Sequence, residues 1–81
     1  MMVRVLFFAT LRERAGGRAF EMEIPDGADV ARLKEALVER FPNLAANRGA
    51  MLVAVNRDFA LDDRLIPVGA EIAVFPPVSG G

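Results

Sequence analysis

Four apolar residues at helical spacing, Val30, Leu33, Leu37 and Phe41, constrain this chain more than any other feature. They form one stripe, with Arg32, Lys34, Glu35 and Glu39 turned elsewhere. Asp29 stands where an N-cap belongs, and Pro42 ends the run. A helix of about 12 residues with a single apolar face does not persist alone in water, so it must pack on a sheet.

The segments on either side supply that sheet. Met2 to Ala9 is rich in Val, Leu and Phe, as strands are. Val3, Val5, Phe7 and Ala9 share one face; Arg4, Leu6 and Phe8 share the other. Both faces are bulky and apolar, which fits either a central strand covered twice or a face reserved for a partner. Thr10 to Ala15 is expected to make one helical turn, with Arg12, Glu13 and Arg14 in solvent, before Gly16-Gly17 breaks it. Arg18 to Ile24 alternates cleanly, with Phe20, Met22 and Ile24 on one side, and is expected to run antiparallel to the first strand. Pro25-Asp26-Gly27 reads as a turn, and Asn43 to Gly49 as a connection with a helical turn at Leu44–Ala46.

After the helix, Ala50 to Val55 is a strand too apolar for its buried face to be assigned. Asn56-Arg57-Asp58 is a turn, and Phe59 to Leu61 a short edge strand. Asp62-Asp63-Arg64 is polar, and Leu65 to Gly69 a loop with apolar anchors. In the last strand, Glu71 to Phe75, Ile72 and Val74 should face the core, leaving Ala73 and Phe75 on the opposite side. The order is two strands, a helix, then two or three strands, without repeat or linker. That is an α+β roll: a mixed sheet of four to five strands with one main helix packed across it. If the first and last strands are neighbours at its centre, Leu6, Phe8 and Phe75 make an exposed apolar patch, the usual mark of a binding site. Composition agrees, since 53% hydrophobic residues exceeds the need of one small core.

The stretch from Phe75 to Gly81 is uncharged. Pro76 and Pro77 remove two backbone donors and favour an extended path, so pairing should stop at Phe75. The six following residues span about 20 Å when stretched. Gly80-Gly81 carries no Cβ and suits a channel too narrow for other residues. We therefore divide the chain into a domain, 1–75, and an extended tail, 76–81.

Other chemistry is scarce. Cysteine and histidine are absent, so there is no thiolate nucleophile, imidazole base or ordinary zinc site. Gly16-Gly17 is not followed by the Lys-Ser/Thr of a phosphate loop, and Asp62-Asp63 reads as a solvated turn. Net charge is −1, without the basic excess expected for nucleic acid or anionic lipid. No apolar run approaches the ~20 residues of a membrane span, and no secretory signal is evident. The expected location is the cytosol. The one unusual handle is the terminal carboxylate of Gly81.

The opening Val5 to Gly16 (Val-Leu-Phe-Phe-Ala-Thr-Leu-Arg-Glu-Arg-Ala-Gly), the Ala-Val-Asn at 54–56 and above all Val74 to Gly81 (Val-Phe-Pro-Pro-Val-Ser-Gly-Gly) resemble the small, sulfur-carrier subunit of molybdopterin synthase. One departure is Val68-Gly69-Ala70, where that family often has Asp-Gly-Asp; it alters the charge of a turn. The resemblance implies a ubiquitin-like β-grasp fold that catalyses nothing alone and binds no cofactor. It further implies that an E1-like adenylyltransferase uses ATP to adenylate Gly81. A persulfide donor then gives a thiocarboxylate, which serves cyclic pyranopterin monophosphate in the large catalytic subunit, within a heterotetramer of two small and two large chains. Under it Gly81 bears sulfur and Gly80 permits passage. Phe8, Phe59, Phe75, Pro76, Pro77 and Val78 meet the partner, Phe59 by family position, with Arg12 at the rim. The competing reading for each Phe is core packing, and for Arg12 a solvated charge. The alternative functions are a sulfur carrier for thiamine thiazole or tRNA thiolation, a ubiquitin-like protein modifier, or an interaction module with an idle tail.

Overall fold

The computed structural model describes residues 1–77. Five strands and two helices follow one another: β1 (Met2–Phe7), α1 (Thr10–Ala15), β2 (Ala19–Glu23), α2 (Val30–Arg40), β3 (Leu52–Val55), β4 (Asp58–Ala60) and β5 (Glu71–Phe75). A 3₁₀ segment, Pro42–Ala50, joins α2 to β3. It is longer than the single turn expected, and it buries Leu44. The sheet order is β2-β1-β5-β3-β4. β1 pairs antiparallel with β2 and parallel with β5, so the first and last strands do meet at the centre.

α2 forms as its sequence demands. The backbone N–H of Arg32 donates to Asp29 Oδ1 at 2.9 Å, satisfying one of the donors left open at a helix start. Two more are taken from outside the helix, where Val30 N–H donates to Arg64 O and Ala31 N–H to Asp62 O, each at 3.0 Å. Val30, Leu33, Leu37 and Phe41 are buried against Val3, Val5 and Phe7 of β1, Val53 and Val55 of β3, and Ile72 and Val74 of β5. The Phe7 ring meets Phe41 edge-on at 5.2 Å and Phe20 at 5.9 Å. Arg40 closes the rim, its guanidinium 5.3 Å from the Phe41 ring and donating to Glu21 O at 3.0 Å.

Three details differ from expectation. β1 stops at Phe7, because Ala9 adopts φ +55°, ψ −134° and turns the chain, with Leu11 N–H donating to Phe8 O at 3.2 Å. Ala9, expected on the face of Val3, Val5 and Phe7, is exposed, and Leu11 of α1 is fully buried. In the loop after β4 only Ile66 anchors; its N–H donates to Ala28 O at 3.0 Å, while Leu65 and Val68 on either side point outward.

The turn between β3 and β4 uses two left-handed residues, Asn56 at φ +49° and Arg57 at φ +74°. That pair matches the right-handed twist of a hairpin. Asn56 also clamps β5: its N–H donates to Glu71 O, and its Oδ1 accepts from Glu71 N–H, each at 2.9 Å.

Ala9 occupies backbone space that favours glycine, at a cost of about 1–3 kcal/mol. Glycine adds unfolded-state entropy costing about 0.4–1 kcal/mol, less than the strain it removes. Ala9→Gly is thus expected to raise the Tm by about 4–8 °C, for a net gain near 1 kcal/mol; an unchanged or lower Tm in calorimetry contradicts the strain. Lys34 Nζ lies 2.8 Å from Asp62 Oδ1, and this hydrogen bond holds the Asp62 carboxyl below its usual range. A carboxyl depressed on folding stabilises above its unfolded pKa, about 3.9, and loses that stabilisation as pH falls below it. Asp62 is 58% exposed, so the bridge contributes at most about 1 kcal/mol. Lys34→Met should shrink the stability difference between neutral and strongly acidic urea melts by no more than that amount.

Candidate functional site

Among the described residues, no helix covers the face of the sheet opposite α2. Strand alternation puts Arg4 and Leu6 of β1 there, with Ala73 and Phe75 of β5, Leu52 and Ala54 of β3, and Phe59 of β4. Register draws them into rows. One row crosses all five strands as Ala19, Leu6, Ala73, Ala54 and Phe59. In the next, Leu52 is paired with Phe75, and Phe8 lies on its other side.

Small and large side chains alternate across this face. Ala54 and Ala73 form a low floor, and three aromatic rings stand beside it. Phe8 and Phe75 stack with centroids 4.5 Å apart and planes inclined by 15°. Phe59 approaches Phe75 at 5.8 Å with a tilt of 50°. Phe75 is half-buried by these neighbours, whereas Phe59 is 71% exposed. Leu61 is 80% exposed, and with Leu52, Val53, Phe59 and Ala60 it lines an open apolar groove of about 390 Å³. A contiguous exposed apolar surface of this kind marks an interaction site on a small domain.

The fold thus gathers Phe8, Phe59 and Phe75, three candidates separated widely in sequence, into one cluster. Pro76 is half-buried and Pro77 exposed, both beyond the end of β5. The site residues Val78, Gly80 and Gly81 lie outside the described residues. Arg12, the candidate rim contact, lines a cleft beside Phe8 together with Arg4 and Arg18. Leu52 and Leu61 are additions that sequence reasoning missed. Period-two spacing from Phe59 would have found Leu61, but Leu52 needed the pairing with Phe75, because β3 is apolar throughout. Asp62 is engaged with Lys34, which makes it a structural group. Among the described residues, no three acidic side chains converge as metal ligands.

The ThiS family model matches residues 5–81. The molybdopterin synthase sulfur carrier subunit of Haemophilus influenzae is 39% identical, covering 99% of this chain and 100% of that protein. Small archaeal modifier protein 1 of Haloferax volcanii has a solved structure that superposes with a TM-score of 0.84 at 29% identity, over 95% of this chain and 98% of that one. The complex of subunits 1 and 2 of molybdopterin-converting factor from Helicobacter pylori contains a chain that matches at a TM-score of 0.68 and 26% identity, with 100% of both chains covered. The ubiquitin-like β-grasp architecture is therefore established by both sheet order and superposition.

The cluster separates residues that support the fold from those that only present a surface. Phe59→Ala is expected to change stability by less than about 0.5 kcal/mol, as an exposed side chain should. Phe75→Ala removes a stacked, half-buried ring and should cost about 1–2 kcal/mol, below the 3–5 of a core Phe. Urea titrations giving equal losses for the two would refute this division.

Proposed function

The chain belongs to the ThiS family, and from that premise we propose that it is the sulfur carrier of a molybdopterin synthase, delivering sulfur on Gly81 to a larger catalytic subunit. The observation that carries this reading is the position of Phe75. It completes the aromatic cluster of the open face, and it is also the residue from which Pro76 and Pro77 depart. Docking surface and delivery arm share one root. The family match extends through the final glycine, and the relatives named as sulfur carriers align over their whole length, as in Haemophilus influenzae. The Helicobacter pylori chain with this fold is part of a complex of two subunits.

The chemistry explains the division of labour. A carboxylate resists nucleophiles because its charge is delocalised and its oxygen leaves poorly. Adenylation of Gly81 by an E1-like enzyme, with ATP consumed and pyrophosphate released, supplies AMP as a good leaving group. The terminal sulfur of a persulfide donor attacks the acyl carbon and AMP departs; a second thiol then cleaves the S–S bond of the acyl disulfide so formed, leaving a disulfide on the donor side and Gly81 as a thiocarboxylate. The domain, 1–75, docks through Phe8, Phe59 and Phe75, while the tail, 76–81, enters the large subunit, where cyclic pyranopterin monophosphate takes the sulfur. Gly80, without a Cβ, allows a narrow passage, and Val78 is a further partner contact. Two prolines restrict the tail beforehand, so less entropy is lost on insertion. The assembly is a heterotetramer of two small and two large chains. A second reading, a protein modifier, is favoured by the likeness to small archaeal modifier protein 1; its tail would join lysines instead.

Mass spectrometry of protein kept free of added thiol, with the sulfur machinery present, should find sulfur in place of oxygen at Gly81. Transfer should then follow in a reconstitution with the large subunit and the pyranopterin precursor. Deleting Gly81 should abolish transfer, and Gly80→Val should reduce it at least about 100-fold by misplacing the reacting atom. Full transfer by the deletion variant defeats the proposal, and lysine conjugates without pterin sulfuration favour the modifier.

A further inference from the structure

The open face is not uniformly apolar. Beside Phe8, three guanidinium side chains, Arg4, Arg12 and Arg18, surround a cleft of about 320 Å³ floored by Leu6, Phe7 and Phe8. They come from three places: β1, the exposed side of α1, and the approach to β2. All three residues are exposed. Among the described residues, the ion pairs engage Arg32, Lys34, Arg48 and the amino end, but none engages Arg4, Arg12 or Arg18. The acids nearest in register are Glu21 and Glu71, which flank Arg4 on the neighbouring strands. On α1 itself, Glu13 and Arg14 offset each other in charge.

Glu21 and Glu71 flank Arg4, but Arg12 and Arg18 have no ion-pair partner among the described residues, so the cleft keeps a positive excess on a chain that is acidic by one charge. The local excess therefore opposes the global balance. A planar guanidinium matches a carboxylate in a two-pronged fashion, so the cleft suits paired acidic side chains. Phe8 both lines this cleft and stacks on Phe75, which makes the basic rim continuous with the aromatic cluster. An apolar centre with a charged rim is the anatomy of a protein interface, whereas a polyanion would meet a net negative molecule.

We propose that the Arg4–Arg12–Arg18 cleft receives a carboxylate-bearing segment of the protein partner that docks on the open face, steering it on approach and setting its register against Phe8 and Phe75. This rests on the reading above in taking that partner as the large synthase subunit. The cleft sets the rate and orientation of encounter, and the aromatic cluster supplies most of the hold.

Two measurements on the full chain test this. The first needs no large subunit: an acetylated oligo-glutamate peptide is titrated while the arginine side-chain N–H resonances are followed by NMR. Signals of Arg4, Arg12 and Arg18 should move together at about 0.01 M salt and shift less at about 0.15 M, and the remaining Arg4 signal should stay still in the Arg12→Gln/Arg18→Gln variant. Equal movement of Arg14, Arg40 and Arg57, or tighter seating of a single-stranded oligonucleotide on the same three residues, overturns the assignment. The second follows association with the large subunit by stopped flow. The double variant, which leaves Arg4 and its strand neighbours intact, should associate about 10-fold more slowly at low salt, with a flatter salt dependence. Arg57→Gln, at the opposite edge of the sheet, should change the rate by less than about 2-fold. Equal slowing by both sets of substitutions refutes the cleft. If the unaltered chain does not bind the large subunit but the peptide result holds, the functional reading falls and the acidic-segment site stands.

Discussion

Parallel pairing of β1 with β5, from Arg4 opposite Glu71 to Phe7 opposite Val74, joins the two ends of the chain at the centre of the sheet. Parallel strands require a long crossover, and here the crossover contains β2, α2, β3 and β4. α2 can cover only one face of what it crosses. Val3, Val5, Phe7, Ile72 and Val74 take that face and become core. Their alternate neighbours Leu6, Phe8, Ala73 and Phe75 are left on the other by the same register. The open apolar face is thus the unavoidable reverse of the core, built in part from the same two strands.

The arrangement is held by local devices that cost stability at particular points. Ala9 accepts a glycine-like conformation so that the chain leaves β1 immediately after Phe8. Asn56 and Arg57 both take left-handed geometry so that β4 folds tightly onto β3 and brings Phe59 towards Phe75. The side chain of Asn56 returns a hydrogen bond to the start of β5. Ala9 directly follows Phe8 of the aromatic cluster, in keeping with strain being kept where geometry matters to function, whereas the Asn56 clamp holds the end of β5 remote from Phe75.

A carrier of this kind separates grip from chemistry. Grip is distributed over exposed rings and leucines, with three arginines on one flank. On the proposed reading, chemistry is confined to a single terminal atom that other proteins activate and consume. On that reading such a body needs no polarised side chain of its own, and its demands are met by shape: an open sheet face, with Pro76 and Pro77 following the end of its central strand.

Much of this was legible beforehand. The stripe Val30, Leu33, Leu37 and Phe41, the alternation of Phe20, Met22 and Ile24, and the cap at Asp29 are local signals, because helix and strand periods are written directly into neighbouring residues. Asp29 does cap, and Ile72 and Val74 are buried as their alternation required. What resisted reading was whatever depended on distant residues. β3 is apolar on both sides, so only its place between β5 and β4 decided that Val53 and Val55 face α2 while Leu52 looks out. Leu11 carries no such local signal, and it is the fold that buries it. The sequence by itself determined the elements, the two-faced strands and the uncharged Gly-Gly tail, since these rest on steric and hydrophobic patterns of near neighbours. Tertiary structure alone decided that Phe8, Phe59 and Phe75 form one cluster and that Arg4, Arg12 and Arg18 form one cleft, because strand register, set by pairing across the whole chain, is what turns scattered residues into a surface.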